Sequence, residues 1–188
     1  MRKITAVEFI SLDGVAEAPE AWTPPYFNEE LMEIAQAGMD SSDAMLLGRR
    51  TYQDFASYWP HQPREAPFVA WTNDSHKYVV STTLTSLEYG PATLISKDVA
   101  AEVRNLKEQE GKGISLLGSP TLVRSLLPEG VHRRAHRIPL PDPCGQGQTS
   151  LRGANWGAGA PPDRLASAED WGGGADVRPG RGVTNAGH

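Results

Sequence analysis

Apolar and polar positions alternate almost from the first residue. In residues 3–11 (KITAVEFIS) Ile4 and Ala6 alternate with polar neighbours before the run turns apolar, which predicts a strand. Leu12-Asp13-Gly14 ends it with turn chemistry, and a proline-rich loop runs on to Pro25. Over residues 27–39 the period becomes helical. Leu31, Ile34 and Ala35 share a face, and Glu29, Glu30 and Glu33 lie near the start, where the helix dipole favours acids. Residues 44–47 (AMLL) read as a short buried strand broken by Gly48, and 50–58 as a helix with Tyr52, Phe55 and Ala56 on one side. Residues 78–80 and 92–95 are further strands. Ser96 is placed to cap a helix carrying Val99, Val103 and Leu106, which Gly111 and Gly113 stop. Residues 114–117 form another strand. Gly118-Ser119-Pro120 then opens the last helix, with serine at the N-cap, proline at the first helical position, and Leu122, Val123, Leu126 and Leu127 on the apolar side. Strands alternating with helices predict an α/β fold with parallel neighbours.

Composition divides the 188 residues into two unlike parts. Residues 1–131 hold every Lys, Phe and Tyr, with 11 basic residues against 18 acidic ones. Residues 132–188 hold 11 Gly and 6 Pro, no Lys, Phe or Tyr, and 7 Arg against 5 acids. A segment so rich in glycine and proline buries too little apolar surface to order itself, which predicts an irregular, disordered tail. The expected organisation is one ordered domain over 1–131, followed by an aberrant tail over 132–188.

The lone cysteine, Cys144, excludes an internal disulfide framework and fits a reducing cytoplasm. No apolar run approaches the length of a membrane span, and MRKITAVEF lacks a signal peptide's apolar region. A net charge of −5 and arginines scattered among acids argue against nucleic acid as partner. His132, His136 and Cys144 mimic a metal cluster but lie in the tail, so no metal is expected.

Two segments share one design. MLLGRRTY (Met45 to Tyr52) and SLLGSPTL (Ser115 to Leu122) each run apolar strand, glycine, helix start. Glycine lets the chain turn sharply and lets a ligand approach the main chain. The first helical N–H groups then lack partners and form an anion site at the sheet's C-terminal edge. Arg49, Arg50 and Thr51 add charge and a hydroxyl at one corner, Ser119 and Thr121 hydroxyls at the other. One such corner has an ordinary structural reading; two, one with paired arginines, suit a ligand with several phosphates. Asp13 orients a ligand amide or ribose hydroxyl, or simply makes an Asp-Gly turn. Trp22, Trp59 and Trp71 stack on a flat ring or pack a lid. Ser81-Thr82-Thr83 holds a phosphate or caps the next turn. Gly111-Lys112-Gly113 precedes its strand, so it is not a Rossmann fingerprint.

These segments, with EFISLDGVAE (Glu8 to Glu17), DAMLLGRRTYQDFASYWP (Asp43 to Pro60), KYVVSTTL (Lys77 to Leu84) and the run from Leu94 to Leu127, resemble the dihydrofolate-reductase-like family. The resemblance is nearest to the C-terminal reductase domain of bifunctional riboflavin-biosynthesis proteins, and covers most of residues 1–131. It implies a central mixed sheet flanked by helices, NADPH as cofactor, hydride transfer to a heterocyclic small molecule, and a homodimer. The substrate would be phosphoribosylaminouracil-like or pterin-like, the first favoured by motif likeness. By position, Gly48, Arg49, Arg50 and Thr51 resemble the first phosphate turn, Ser81 and Thr82 the vicinity of the 2′-phosphate, and Gly118, Ser119, Pro120, Thr121 and Leu122 the pyrophosphate turn. Ser11, Leu12 and Asp13 match the cleft lining, with Asp13 the candidate catalytic contact.

After Val131 the family pattern stops. Reading each codon from its second base permits IDELTEFHFPILVGKGKRLFE from His132, and TGVVALTYAPAAE plus a stop from Asp170. The expectation is that 132–188 are a frameshifted read-through, which would deprive the 114–117 strand of a neighbour and weaken the last helix. Resequencing the gene tests this: a base count intact near codon 131 refutes it. The alternative functional expectation is a non-catalytic nucleotide-binding or inactive remnant protein.

Overall fold

The computed structural model describes residues 1–11 and 15–128, and the backbone of 134–140. Strands β1 (Ile4–Ser11), β2 (Ser42–Gly48), β3 (His76–Val80), β4 (Ala92–Ile95), β5 (Gly113–Leu117) and β6 (Arg134–Leu140) form one sheet in the order β4-β3-β2-β5-β1-β6. Every ladder among them is parallel. An antiparallel member of the expected mixed sheet would lie outside the described residues. Helices α1 (Pro19–Trp22), α2 (Glu29–Asp40), α3 (Arg49–Tyr58), α4 (Val69–Asp74), α5 (Val99–Glu108) and α6 (Pro120–Leu126) make the crossovers.

Right-handed crossovers decide which face each helix covers. The chain steps from β1 through β2 and β3 to β4 in one direction, then reverses to reach β5 and β6. Accordingly α3 and α4 pack on one side, where Tyr52, Phe55 and Trp71 meet Met45, Leu47 and Val79. On the other side Val103, Leu106, Leu122, Val123 and Leu126 of α5 and α6 cover Ile4, Ala6, Ala44, Leu46, Ile114 and Leu116. The alternate residues of β2 thus serve two cores, as a sheet covered on both faces requires.

The element types follow the sequence pattern, and some of the ends do not. Glu29 and Glu30 lie in the first turn of α2 as expected, and Asn28 caps it, its side chain accepting from the Leu31 N–H at 2.9 Å. Ser96 does not cap α5; the helix begins three residues later, after Asp98 in the left-handed region. Helix α4 has no apolar period over its six residues and was not expected. The strand 114–117 has neighbours on both sides, β2 and β1, contrary to expectation. Within the segment expected to be irregular, 134–140 forms a strand parallel to β1, with Arg134 in register with Thr5 and Arg137 with Glu8. An exposed flank of β1 offers a row of N–H and C=O groups, and backbone pairing needs no particular side chains. The remainder of the tail, including His132 and Cys144, lies outside the described residues, as do Leu12, Asp13 and Gly14.

A polar clamp closes the N-terminal edge of the sheet. The buried Arg2 guanidinium pairs with Asp43 and donates to Lys112 O at 2.7 Å, while Asp43 accepts from the Lys112 N–H at 2.9 Å. No described helix is long and apolar enough to cross a membrane.

Candidate functional site

All parallel strands deliver their C-terminal ends to one edge. There β2 feeds α3 onto one face, and its neighbour β5 feeds α6 onto the other. This divergence opens a crevice, the place where open α/β sheets bind ligands. The two glycine corners therefore stand side by side.

Ser119 joins them. Its Oγ accepts from the Gly48 N–H at 2.8 Å, lies 2.8 Å from Thr51 Oγ1, and reaches Leu117 O at 3.3 Å. Ser119 occupies the N-cap position of α6 as expected, but its hydroxyl serves the neighbouring corner instead of its own helix. The approach depends on both glycines. A Cβ on Gly48 would stand 3.2 Å from Ser119 Oγ, and one on Gly118, whose φ is +55°, would stand 3.3 Å from Thr51 Cγ2. The Gly118 N–H donates to Val7 O at 3.1 Å, which ties the corner to β1.

Helix α3 starts after Gly48 with no side chain capping it, so its first N–H groups are available to an anion. Arg49 and Arg50 are exposed beside them. Arg49 reaches Gln53 at 3.3 Å and Arg50 lies 3.9 Å from Glu17. Ser81 follows β3 at the same edge, but its Oγ accepts from the Thr83 and Leu84 N–H groups at 3.1 and 3.0 Å, and so caps the next turn; Thr82 is exposed. Pro120 is half-buried and Thr121 exposed. Leu122 is corrected: its side chain is in the core and its N–H donates to Ser119 O at 2.8 Å, so it has neither to offer a ligand. At the end of β1, Ser11 Oγ accepts from the Val15 N–H at 2.9 Å, and the candidate Asp13 lies outside the described residues.

The tryptophans serve packing. Trp22 donates to Glu17 O, Trp71 to Ser42 O, and Trp59 packs edge-on against Phe55 and Tyr58. A further aromatic pair joins Phe9 of β1 to Phe27, ring centroids 5.9 Å apart. Sequence reasoning missed it. Glu8, the residue before Phe9, lies on the opposite face of β1 by the strand's alternation. It is 4% exposed, its Oε1 has no partner among the described residues, and burial pushes its pKa up to about 8. No group of potential metal ligands occurs among the described residues.

A parallel sheet covered on both faces, with two glycine corners side by side at its C-terminal edge, defines an α/β domain. The chain belongs to the RibD C-terminal domain family, which matches residues 2–158. That match carries on past Val131, where the sequence pattern breaks. It supports an oxidoreductase. No curated protein matches the chain in sequence. Among solved structures, it is similar to a Thermotoga maritima diaminohydroxyphosphoribosylaminopyrimidine deaminase/5-amino-6-(5-phosphoribosylamino)uracil reductase. That similarity has a TM-score of 0.57 at 12% identity, over 86% of this chain and 51% of that one. The chain thus spans about half the length of the Thermotoga protein. Schistosoma mansoni dihydrofolate reductase gives a TM-score of 0.47 at 16% identity, over 78% of this chain and 79% of that one. A Corynebacterium diphtheriae pyrimidine reductase-like protein gives 0.46 at 12%, over 78% and 77%.

Proposed function

We propose that the chain is an NADPH-dependent reductase that passes a hydride to a bound phosphoribosylaminouracil-like or pterin-like ring. The observation carrying this reading is the Ser119 link, which holds two glycine corners together at the switch point and leaves the α3 N-terminus open. These residues fit a dinucleotide. Gly48 and Gly118 leave room where a Cβ would crowd the corner, and Arg49 and Arg50 supply positive charge. Gly48 to Thr51 would hold one phosphate group, the main chain of Gly118 to Thr121 the pyrophosphate, and Ser81 with Thr82 would border the ribose phosphate. NADPH, when bound, supplies the hydride; the protein's part is to place the ring beside it and exclude water.

Arg50 carries the phosphate preference in this reading. Its pair with Glu17 is exposed and 3.9 Å long, and such pairs contribute at most about 1 kcal/mol, so the guanidinium is free to change partner. Arg50→Ala is expected to weaken NADPH binding about tenfold or more and NADH binding much less, measured by titrating cofactor fluorescence. Equal loss for both cofactors would remove the arginine from this role. A thermal melt that NADPH does not raise would count against the reading as a whole.

A further inference from the structure

One crossover of the sheet has no helix. Strands β3 and β4 are parallel neighbours, and residues 81–91 join them without helix or strand. Such connections are ordinarily made by a helix. Residues 82–90 make no main-chain hydrogen bond to another main-chain group among the described residues, and most of them are exposed. A segment held by so few bonds opens more readily than the sheet it crosses. Val80 is in register with Gly48, so the segment starts beside the residue from which α3 departs.

Three attachments hold this strap down. Ser81 Oγ accepts from the Thr83 and Leu84 N–H groups, which fixes the first turn. Leu84 and Leu87 pack against the core around Met45, Leu47 and Val79. The third attachment is Tyr89. Its N–H donates to Tyr52 Oη at 2.8 Å, and its carbonyl accepts from the same hydroxyl at 3.3 Å. Its own hydroxyl donates to Asn73 Oδ1 at 2.8 Å. The fully buried Lys77 completes the arrangement. Its Nζ donates to Asn73 O at 3.1 Å and Ser75 O at 2.8 Å, and stands 4.6 Å from the centre of the Tyr89 ring, within cation–π range. Gly90, at φ +64°, leaves the room for it, because a Cβ there would stand 2.8 Å from Nζ. Thr85 and Ser86 are exposed and take no part.

Tyr52 belongs to both structures. It sits in the first turn of α3, next to Thr51, whose Oγ1 lies 2.8 Å from Ser119 Oγ. The hydroxyl that latches the strap thus rides on the helix whose start makes one glycine corner. Resting on the reductase reading, we infer that residues 81–91 form a strap latched by Tyr52, Tyr89 and Lys77, and that closure of the latch and occupation of the cofactor site favour each other. Tyr52 is then a positioning residue. It acts through the strap, whose Ser81 and Thr82 border the ribose phosphate in that reading. Coupling of this kind is reciprocal, so a latch that improves cofactor affinity is itself steadied when the cofactor binds.

Amide hydrogen exchange of the full chain, read residue by residue, tests both directions. In the parent protein, saturating NADPH is expected to slow exchange of the Tyr89 amide about threefold or more. Tyr52→Phe removes both hydrogen bonds between the hydroxyl and the Tyr89 main chain but keeps the ring. Without cofactor it should speed that exchange about tenfold, and leave the amides of Leu46 and Leu116 in the sheet unchanged. Fluorescence titration should show this variant binding NADPH about threefold more weakly, and NADH nearly as the parent does. Tyr89 exchange that is indifferent to NADPH overturns the inference. So does a Tyr52→Phe protein that binds NADPH like the parent, or one whose sheet amides speed up as much as Tyr89. Should the variant not fold, the effect of NADPH on the parent decides alone. If NADPH binds the parent and the strap does not respond, only this inference fails; if NADPH does not bind, the reductase reading fails with it.

Discussion

Replacing Gly118 by valine is expected to weaken NADPH binding about ten- to a hundredfold. Gly118 has φ +55°, and a left-handed residue with a Cβ costs about 1–2 kcal/mol, more when β-branched. The new Cβ would also stand 3.3 Å from Thr51 Cγ2, so Thr51 must shift and its contact with Ser119 Oγ must lengthen. Each 1.4 kcal/mol lost from the bound geometry is tenfold in affinity. The measurement is cofactor fluorescence titration alongside Thr85→Ala, an exposed position away from both corners, which should behave like the parent. Tight NADPH binding in a folded Gly118→Val protein would show that the corner is a structural turn only.

Glu8→Gln should stabilise the protein at neutral pH and flatten its dependence on pH. The Glu8 pKa is raised from 4.5 to about 8 by burial, so the folded state holds a proton that the unfolded state releases over this interval. Stability therefore falls as pH rises from about 4.5 to 8 and levels off above. At 1.36 kcal/mol per pKa unit the effect has a ceiling of about 5 kcal/mol, and about 2–4 is expected because the buried amide also lacks a partner. Denaturant melts at pH 5 and pH 8 check this. A parent protein equally stable at both values would mean that Glu8 finds compensation when it ionises.

The sheet was legible because β2 and β5 each end in a short, mostly apolar run cut by a glycine. The two corners were legible for the same reason, and their contact follows from strand order, which one sequence does not display. Pairing between Ile4 and Ile114 joins positions with no local pattern in common. The cap of α6 escaped because its side chain was drawn to tertiary partners: Ser119 Oγ went to Gly48 and Thr51. Phe9 and Phe27 escaped because their contact joins residues of two different elements and leaves no local pattern. Glu8 escaped because its strand reads the same with a polar or an apolar residue there. Ser81 followed its bland alternative, a turn cap.

The parallel pairing of β1 also governs how the molecule comes into being. Its first strand finds its partner β5 only after residue 117 has been synthesised, because no hairpin is available to shelter it sooner. For that interval Ile4, Ala6 and Ile10 are carried on a nascent chain without their final neighbours. Such delayed closure slows folding and leaves apolar surface open to misassembly, so production of this protein should depend on chaperone supply more than that of a hairpin-built domain of equal size.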